Sequence, residues 1–161
     1  MCCLPIFFIC SKKHTNNAEN LDTIMDAPLF SLDGQYYKAK VVSVYDGDTI
    51  TIIFKYKFDY VKWKCRLLYV DTPEIKSNCE LEKQYAITVR NILRDKILNK
   101  TLKIRCGGFD KYGRLLIEIF DDNGISSINH WLITNNYAFE YDGKTKKSWK
   151  DYLETSVNIA S

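Results

Sequence analysis

Three strand-like runs follow one another within residues 38–70, which read KAKVVSVYDGDTITIIFKYKFDYVKWKCRLLYV. They are Lys38–Tyr45, Thr49–Lys57 and Val61–Val70, and each is rich in the Val, Ile, Tyr, Phe and Trp side chains that favour strands. Asp46-Gly47-Asp48 separates the first two runs, and its glycine is predicted to supply the backbone freedom of a tight hairpin. The folded part of the chain is therefore predicted to begin with a sheet of short strands.

Apolar and basic residues alternate in the third run. Side chains of a strand point alternately to its two faces, so residues two apart share a face. The alternation therefore predicts that Arg66 lies on the face opposite Trp63 and Cys65.

A helix and two more strands follow in the sequence. Apolar residues recur at three- and four-residue steps from Leu81 to Ile97, which predicts an amphipathic helix. Five short strands usually close into a barrel, because closure removes their exposed edges. We therefore predict an α+β fold, a five-stranded β-barrel with about three helices. The remaining predicted elements are the strands Thr101–Cys106 and Tyr112–Phe120, a turn at Gly107-Gly108, and short helices at Ile125–Thr134 and Lys146–Leu153.

The composition is that of one ordinary globular domain. The chain has 161 residues, 46% hydrophobic and 27% charged, which is enough for a core of its own. A formal net charge of +3 is compatible with a polyanionic ligand but does not require one. The six cysteines show no CxxC or Cys/His spacing, and His14 and His130 are isolated, so neither a zinc site nor a histidine-based triad is expected.

The N-terminal residues differ from the rest. Residues 1–10 read MCCLPIFFIC, an apolar stretch too short for a membrane-spanning helix, which needs roughly 20 residues. It also lacks the positive charge with which a secretory signal begins. Residues 11–36 are polar and aperiodic. We predict a Cys-rich tail and flexible linker over residues 1–36 and a domain over residues 37–155. Lipidation of Cys2 and Cys3 would place the chain at a membrane; a frayed terminus on a cytoplasmic protein is the alternative.

Three acids follow predicted strands closely enough to converge. Asp48 follows the first turn, and Asp71 and Glu74 follow the third strand. All three are hard oxygen donors, which favours Ca²⁺ or Mg²⁺ over zinc or copper. Arg66 and Arg114 lie in or beside strands, and a planar guanidinium can bind two phosphate oxygens at once. Acids for a metal and arginines for a phosphate together indicate a phosphate-handling site.

Three motifs in order resemble the staphylococcal nuclease family. They are Asp-Gly-Asp-Thr from Asp46, Arg-Leu-Leu-Tyr-Val-Asp-Thr-Pro-Glu from Arg66, and Asp-Lys-Tyr-Gly-Arg from Asp110, and the resemblance runs from about Lys38 to about Tyr152. It implies an OB-fold barrel and a Ca²⁺-dependent nuclease that acts on DNA and RNA and leaves 3′-phosphate ends. We expect a monomer.

The resemblance also implies a role for each site residue. The metal ligands would be Asp48, Asp71 and the backbone carbonyl of Thr72. Arg66 and Arg114 would bind the phosphate, and Glu74 would act on the attacking water. Contacts to the nucleotide would come from Lys111, Tyr112 and, less directly matched to the family, Tyr141.

Two alternatives remain from the sequence. One is a non-catalytic OB-fold module that binds nucleic acid through basic and aromatic residues. The other is a membrane-tethered interaction domain with a vestigial site. Acids beside a polyanion site argue against simple binding, because uncompensated carboxylates repel phosphates.

Overall fold

The structure is a computed structural model that describes the backbone of residues 25–160 and the side chains of residues 25–156. It contains seven strands and three helices in the described residues. The strands are β1 Tyr36–Val44, β2 Thr49–Tyr56, β3 Asp59–Leu67, β4 Val70–Asp71, β5 Thr101–Phe109, β6 Leu115–Ile119 and β7 Phe139–Glu140. The helices are α1 Glu80–Ile97, α2 Ile128–Thr134 and α3 Trp149–Ala160.

Five of the strands form a closed barrel in the order β1-β2-β3-β6-β5. All neighbouring pairs are antiparallel except β3 and β6, which run parallel. The interior is filled by alternate apolar side chains, for example Ile50, Ile52 and Phe54 of β2, all of them buried. The predicted five-stranded barrel with three helices is confirmed.

The third strand is shorter than its sequence pattern predicts. β3 ends at Leu67, and Tyr69 has φ 64°, so the chain turns before Val70. Val70 and Asp71 then form β4, which pairs with β7 in a separate two-stranded sheet. An unbroken strand would carry Asp71 along the barrel wall, whereas the turn places it inside the protein.

The turn predicted at Gly107-Gly108 is wrong. Both glycines lie inside β5, where the register with β6 shifts between Cys106 and Phe109. A Cβ on Gly107 would lie 3.2 Å from Leu68 Cδ1, so close packing explains this glycine. The turn comes later, where Gly113 has φ 77°, and β6 therefore begins at Leu115 rather than at residue 112.

Helix α1 forms as predicted, and the other two helices begin later than the apolar pattern suggests. α2 begins after Ser127, whose side chain accepts a hydrogen bond from His130 N. α3 begins after Ser148, whose Oγ accepts a hydrogen bond from Asp151 N at 3.2 Å. Both serines satisfy free backbone donors at a helix start. Lys146, predicted to be helical, therefore lies in the loop before α3.

The described chain is already held in place before β1. Contacts group Ser31–Ser161 into one compact unit, Leu32 is buried, and Gly34 N donates a hydrogen bond to Cys106 O.

Cys65, Cys79 and Cys106 are free thiols. The proposed lipidation sites Cys2 and Cys3 lie outside the described residues, and the boundary between residues 36 and 37 stays a prediction. No helix in the described part of the chain is long and apolar enough to cross a membrane.

Candidate active site

The loop between β1 and β2 fixes Asp48 at the start of β2. Asp46 Oδ1 accepts hydrogen bonds from Asp48 N at 3.1 Å and from Thr49 N at 2.7 Å. The backbone carbonyl of Asp48 accepts a hydrogen bond from Leu67 N at 2.8 Å. The Asp48 side chain is thereby turned inward, and the residue is only 6% exposed.

Gly47 is required by packing rather than by an unusual backbone conformation. Its φ is not in the left-handed region, contrary to the expectation of special backbone freedom at this turn. A Cβ at this position would lie 2.8 Å from the Cβ and the Oγ1 of Thr72 and 2.9 Å from Val89 Cγ1. The Asp-Gly-Asp turn and the segment with Thr72 therefore meet face to face through this glycine.

Arg66 joins the two carboxylate-bearing segments. Its Nη1 forms an ion pair with Asp48 Oδ2, and its Nη2 donates a hydrogen bond to Val70 O at 3.2 Å. The face predicted for Arg66 from the alternation in β3 is consistent with this geometry, since Cys65 is buried in the barrel. Burial raises the pKa of Asp48 to about 6, with Arg66 opposing that effect and Asp46 adding to it.

Arg114 reaches the same cluster from β6 through a threonine. Arg114 Nη1 donates to Thr49 Oγ1 at 3.1 Å, and Thr49 Oγ1 donates to Asp48 Oδ1 at 2.8 Å. A continuous hydrogen-bonded chain therefore links the two arginines by way of Thr49 and Asp48. It holds two positive charges over one part of the barrel surface.

Asp110 orients Arg114. Its Oδ2 accepts from Arg114 Nε at 2.6 Å, and its Oδ1 accepts the backbone N–H groups of Tyr112 and Arg114, both at 2.9 Å. Burial alone would raise the pKa of Asp110, but these hydrogen bonds outweigh burial and lower it. The motif Asp-Lys-Tyr-Gly-Arg thus forms a turn whose hydrogen bonds fix the orientation of the Arg114 side chain.

The second carboxylate cluster centres on a lysine that the sequence did not single out. Lys146 Nζ lies 2.9 Å from Asp71 Oδ1 and 2.8 Å from Glu74 Oε1. Burial alone would lower the pKa of Lys146, but its contacts with Glu74 and Asp71 outweigh burial and raise it. Glu74 is held through its backbone as well, since its N–H donates to Glu82 Oε1 of α1 at 3.0 Å.

Most predicted site residues line one cleft of about 1090 Å³. Asp71 is buried and does not line it, but its carboxylate contacts Lys146, which does. The predicted residues that line the cleft are Asp48, Arg66, Thr72, Glu74, Lys111, Tyr112, Arg114 and Tyr141. Sequence elements that are far apart in the chain therefore converge on one surface, as predicted for a functional site.

The three predicted nucleotide-contact residues lie around the rim. Tyr112 is 73% exposed, and the cations of Lys111 and Arg114 lie 5.1 Å and 5.7 Å from its ring centre. Tyr141 also lines the cleft, and its backbone N–H donates a hydrogen bond to Tyr69 O at 3.0 Å. An exposed ring beside cations, as at Tyr112, suits contact with bases and phosphates.

Sequence reasoning missed Asn129, a buried residue of α2 that supports the site from behind. Its Nδ2 donates to Leu68 O and to Ile117 O, each at 3.0 Å, and its Oδ1 accepts from Ile119 N at 3.1 Å. It therefore fixes the turn between β3 and β4 that carries the chain to Asp71. The only sequence signal was one amide in a short helix whose residues are mostly apolar.

A family model described as staphylococcal nuclease homologue matches residues 64–160, more than half of the chain. The chain belongs to the staphylococcal nuclease family. The matched residues of this staphylococcal nuclease homologue include Arg66, Asp71, Glu74 and Arg114, whereas Asp48 lies before the match. The barrel with three helices accordingly has the OB-fold that the resemblance implied.

Known proteins similar to this staphylococcal nuclease homologue come from an archaeon and a bacterium. An uncharacterised protein of Methanocaldococcus jannaschii is 33% identical, with 66% of this chain and 60% of that protein covered. Two proteins named uncharacterised endonuclease, from Escherichia coli and Escherichia coli O157:H7, are each 26% identical, with 64% of this chain and 60% of those proteins covered. The chain thus spans about 60% of the length of these relatives. At the level of the family, the comparisons support a nuclease.

Proposed function

We propose that this chain is a Ca²⁺-dependent endonuclease that hydrolyses phosphodiester bonds of DNA and RNA and leaves 3′-phosphate ends. The main support is the arrangement of charges around one cleft. Arg66 and Arg114 are linked through Asp48, and Glu74 lies on the cleft wall next to the buried Asp71. Two fixed guanidinium groups beside three acids suit a phosphate whose charge must be neutralised during attack by water.

Asp48 and Asp71 fit a hard, oxygen-coordinated cation. Both side chains are buried, and the one partner of Asp71 Oδ1 among the described residues is the ammonium group of Lys146, 2.9 Å away. The described residues contain no group of three or more His, Cys, Asp or Glu side chains that could hold a metal. Further ligands would be the Thr72 carbonyl and water, which suit Ca²⁺ because it takes oxygen ligands from side chains, backbone and solvent. When bound, Ca²⁺ would polarise the phosphate and offset its charge.

The two arginines would stabilise the transition state. Charge on the nonbridging phosphate oxygens grows as water attacks, so a guanidinium held in place gains more attraction to the transition state than to the substrate. Arg66 is held by Asp48 and Val70 O, and Arg114 is held by Asp110 and Thr49. Such fixed donors need little reorganisation during the reaction.

Glu74 would take a proton from the attacking water. The water oxygen forms a bond to phosphorus, the bond from phosphorus to the 5′ oxygen breaks, and a proton from solvent ends on that oxygen. The products are a 3′-phosphate and a 5′-hydroxyl. The Glu74 side chain is 61% exposed, so it is accessible to water, and Glu82 fixes its backbone. Lys111, Tyr112 and Tyr141 would hold the adjoining nucleotides at the rim.

A non-catalytic nucleic-acid-binding domain is the second candidate function. The observation that favours it is Lys146, which already neutralises Asp71 and Glu74 without any metal. A site balanced in this way could bind a phosphate strand and leave it intact.

Cleavage assays on the purified full chain separate the two functions. We expect plasmid DNA and a single-stranded RNA to be cut in Ca²⁺ and to remain intact in EDTA, and mass spectrometry of the fragments should find 3′-phosphates. Calorimetry should show weaker Ca²⁺ binding by Asp48→Asn and by Asp71→Asn. Binding of nucleic acid without cleavage in either Ca²⁺ or Mg²⁺ would refute the nuclease and support the binding domain.

We also propose that acylated Cys2 and Cys3 hold the protein at a membrane, because two lipid chains anchor stably where one is marginal. Fractionation of tagged full-length protein is the test. If Cys2→Ser/Cys3→Ser partitions as the wild type does, the tail is not a lipid anchor and the protein is expected in the cytoplasm.

A further inference from the structure

Positive charge is concentrated on the first three strands of the barrel. β1, β2 and β3 together carry six basic side chains and a single acid, Asp59, at the first position of β3. The whole chain has a formal net charge of only +3, so the rest of the protein is acidic on balance. Such an asymmetry is typical of a protein that meets a polyanion with one surface.

The register of the strands places most of these charges on one outer face. Across the β2–β3 hairpin, Lys55 pairs with Tyr60, Ile53 with Lys62 and Thr51 with Lys64. These pairs alternate with buried partners such as Phe54 and Cys65, so their own side chains point outward. We name Lys55, Tyr60, Lys62 and Lys64 the basic hairpin face.

The basic hairpin face continues directly into the cleft. The next outward pair along β3 is Thr49 with Arg66, both of which line the cleft. Lys64 and Lys62 therefore follow Arg66 at steps of two residues, about 6.6 Å each along a strand. A nucleic-acid strand whose phosphate lies on Arg66 could pass along this row of cations.

The lysines of this face have no acidic partner in the described part of the chain. Ion pairs there engage the lysines Lys83, Lys100, Lys144, Lys146 and Lys150, but not those of the basic hairpin face. Cations without protein partners are free to neutralise phosphates and to release the counterions of the nucleic acid.

Two exposed aromatic rings accompany the cations. Tyr60 is 78% exposed, and Phe58, in the turn of the same hairpin, is 94% exposed. A row of cations with exposed rings is the usual surface for a single strand, because the cations follow the backbone and the bases stack on the rings.

We infer that the basic hairpin face is a binding subsite for a single-stranded nucleic acid. The subsite guides the strand into or out of the cleft. The choice of nucleic acid over another polyanion rests on the proposed nuclease function and on the continuity with the cleft. A simpler role is available. On the side of β6, the strand β3 is paired only at Cys65–Leu67 in the described residues, so its earlier part has a free edge. Lysines on such an edge prevent pairing with another chain. Edge protection predicts no effect of these lysines on oligonucleotide binding.

The experiment measures binding apart from cleavage. Fluorescence anisotropy of a labelled single-stranded oligothymidylate is recorded with the full chain in EDTA over a series of salt concentrations. Lys62→Gln/Lys64→Gln should make the negative slope of log affinity against log salt less steep by about 1.4. This is about 0.7 for each of the two phosphates that the variant no longer neutralises. Tyr60→Ala should weaken binding by about fivefold or more and leave the slope unchanged, since stacking involves no counterion release. Lys100→Gln/Lys103→Gln is the matched control, because it removes the same charge at the start of β5, a strand that pairs with neither β2 nor β3 in the barrel. It should keep the wild-type slope.

Each outcome has a clear meaning. The expected slopes in a protein that never cuts would support the subsite while refuting the nuclease. Cleavage by a wild type whose slope matches that of Lys62→Gln/Lys64→Gln would overturn the subsite and leave the nuclease intact. Absence of oligonucleotide binding by the wild type would also overturn it. If Lys62→Gln/Lys64→Gln binds the oligonucleotide as the wild type does but no longer binds phosphatidylserine vesicles, the face contacts a membrane and the inference is wrong.

Discussion

Lys146 Nζ lies 2.9 Å from the buried carboxylate oxygen Oδ1 of Asp71, the residue that we propose as a metal ligand. The two residues are 75 positions apart in the chain, and Lys146 lies in the loop just before α3. An ammonium group at this position competes for the same oxygen that a divalent cation would use. In this structure the lysine therefore acts as an internal counter-ion of Asp71, and binding of the proposed cation would displace it.

Replacing this counter-ion should strengthen metal binding. Lys146→Met keeps the length of the side chain but removes its charge, so Ca²⁺ no longer competes with an ammonium group. We expect the Kd for Ca²⁺ measured by calorimetry to fall by about fivefold or more, the effect of about 1 kcal/mol for a partly exposed ion pair. Lys144→Met is the control, because Lys144 is exposed and its one ion pair in the described residues is with Asp142. Equal Ca²⁺ affinity in the two variants would mean that Lys146 does not compete with the metal.

Gly47→Ala should loosen the contact between the two acidic segments. The new Cβ would lie 2.8 Å from Thr72 and 2.9 Å from Val89, so one of them must move. We expect a loss of stability of about 1–3 kcal/mol in urea unfolding and weaker Ca²⁺ binding by calorimetry. Gly108→Ala is the matched control, since nothing lies within 4 Å of its Cβ position. If Gly47→Ala binds Ca²⁺ as the wild type does, the position of Thr72 does not matter for the metal.

Arginine should not be replaceable by lysine at the cleft. An ammonium group cannot reproduce the planar two-point contact of a guanidinium with a phosphate. Losing one such donor lowers the rate by about 10²–10³, so Arg66→Lys and Arg114→Lys should slow single-turnover cleavage of an oligonucleotide in saturating Ca²⁺, with little change in substrate affinity. Arg94→Lys on the exposed side of α1 is the control. A near-wild-type rate in either variant would show that this arginine only helps to bind the polyanion.

The stabilising effect of Asp110 should depend on pH. Its folded-state pKa is lowered, so its contribution is fully present above its unfolded pKa of about 3.9 and is lost as the pH falls through the folded value. We expect Asp110→Asn to destabilise the protein by about 1–2 kcal/mol near neutral pH, and the difference from wild type should shrink as the solution becomes more acidic than about pH 4. Urea unfolding at several pH values measures this difference.

Asp122→Asn is the control for that experiment, because Asp122 is exposed and forms only a long ion pair with Lys100. It should change stability little at any pH. A difference between wild type and Asp110→Asn that does not vary with pH would assign the effect of Asp110 to its shape and not to its charge.

The sequence by itself determined the barrel and predicted which charged residues would lie at its cleft. Alternating apolar residues in β2 and β3 specify a buried and an exposed face, and the spacing of apolar residues in α1 specifies a helix, because both patterns follow from fixed local periods. Arg66, Asp48 and Arg114 could likewise be predicted as site residues, because each lies in a short sequence motif that can be recognised without the tertiary structure. Their convergence on one cleft agrees with that choice.

Only the tertiary structure decided which elements end early and which distant residues meet. The predicted turn at Gly107-Gly108 is part of a strand, since its form depends on packing against Leu68 and on the register with β6. Asn129 and Lys146 reach the site across 61 and 75 positions of sequence, to Leu68 and Asp71 respectively. Such contacts leave no local pattern, because they exist only once the barrel has brought separate segments together.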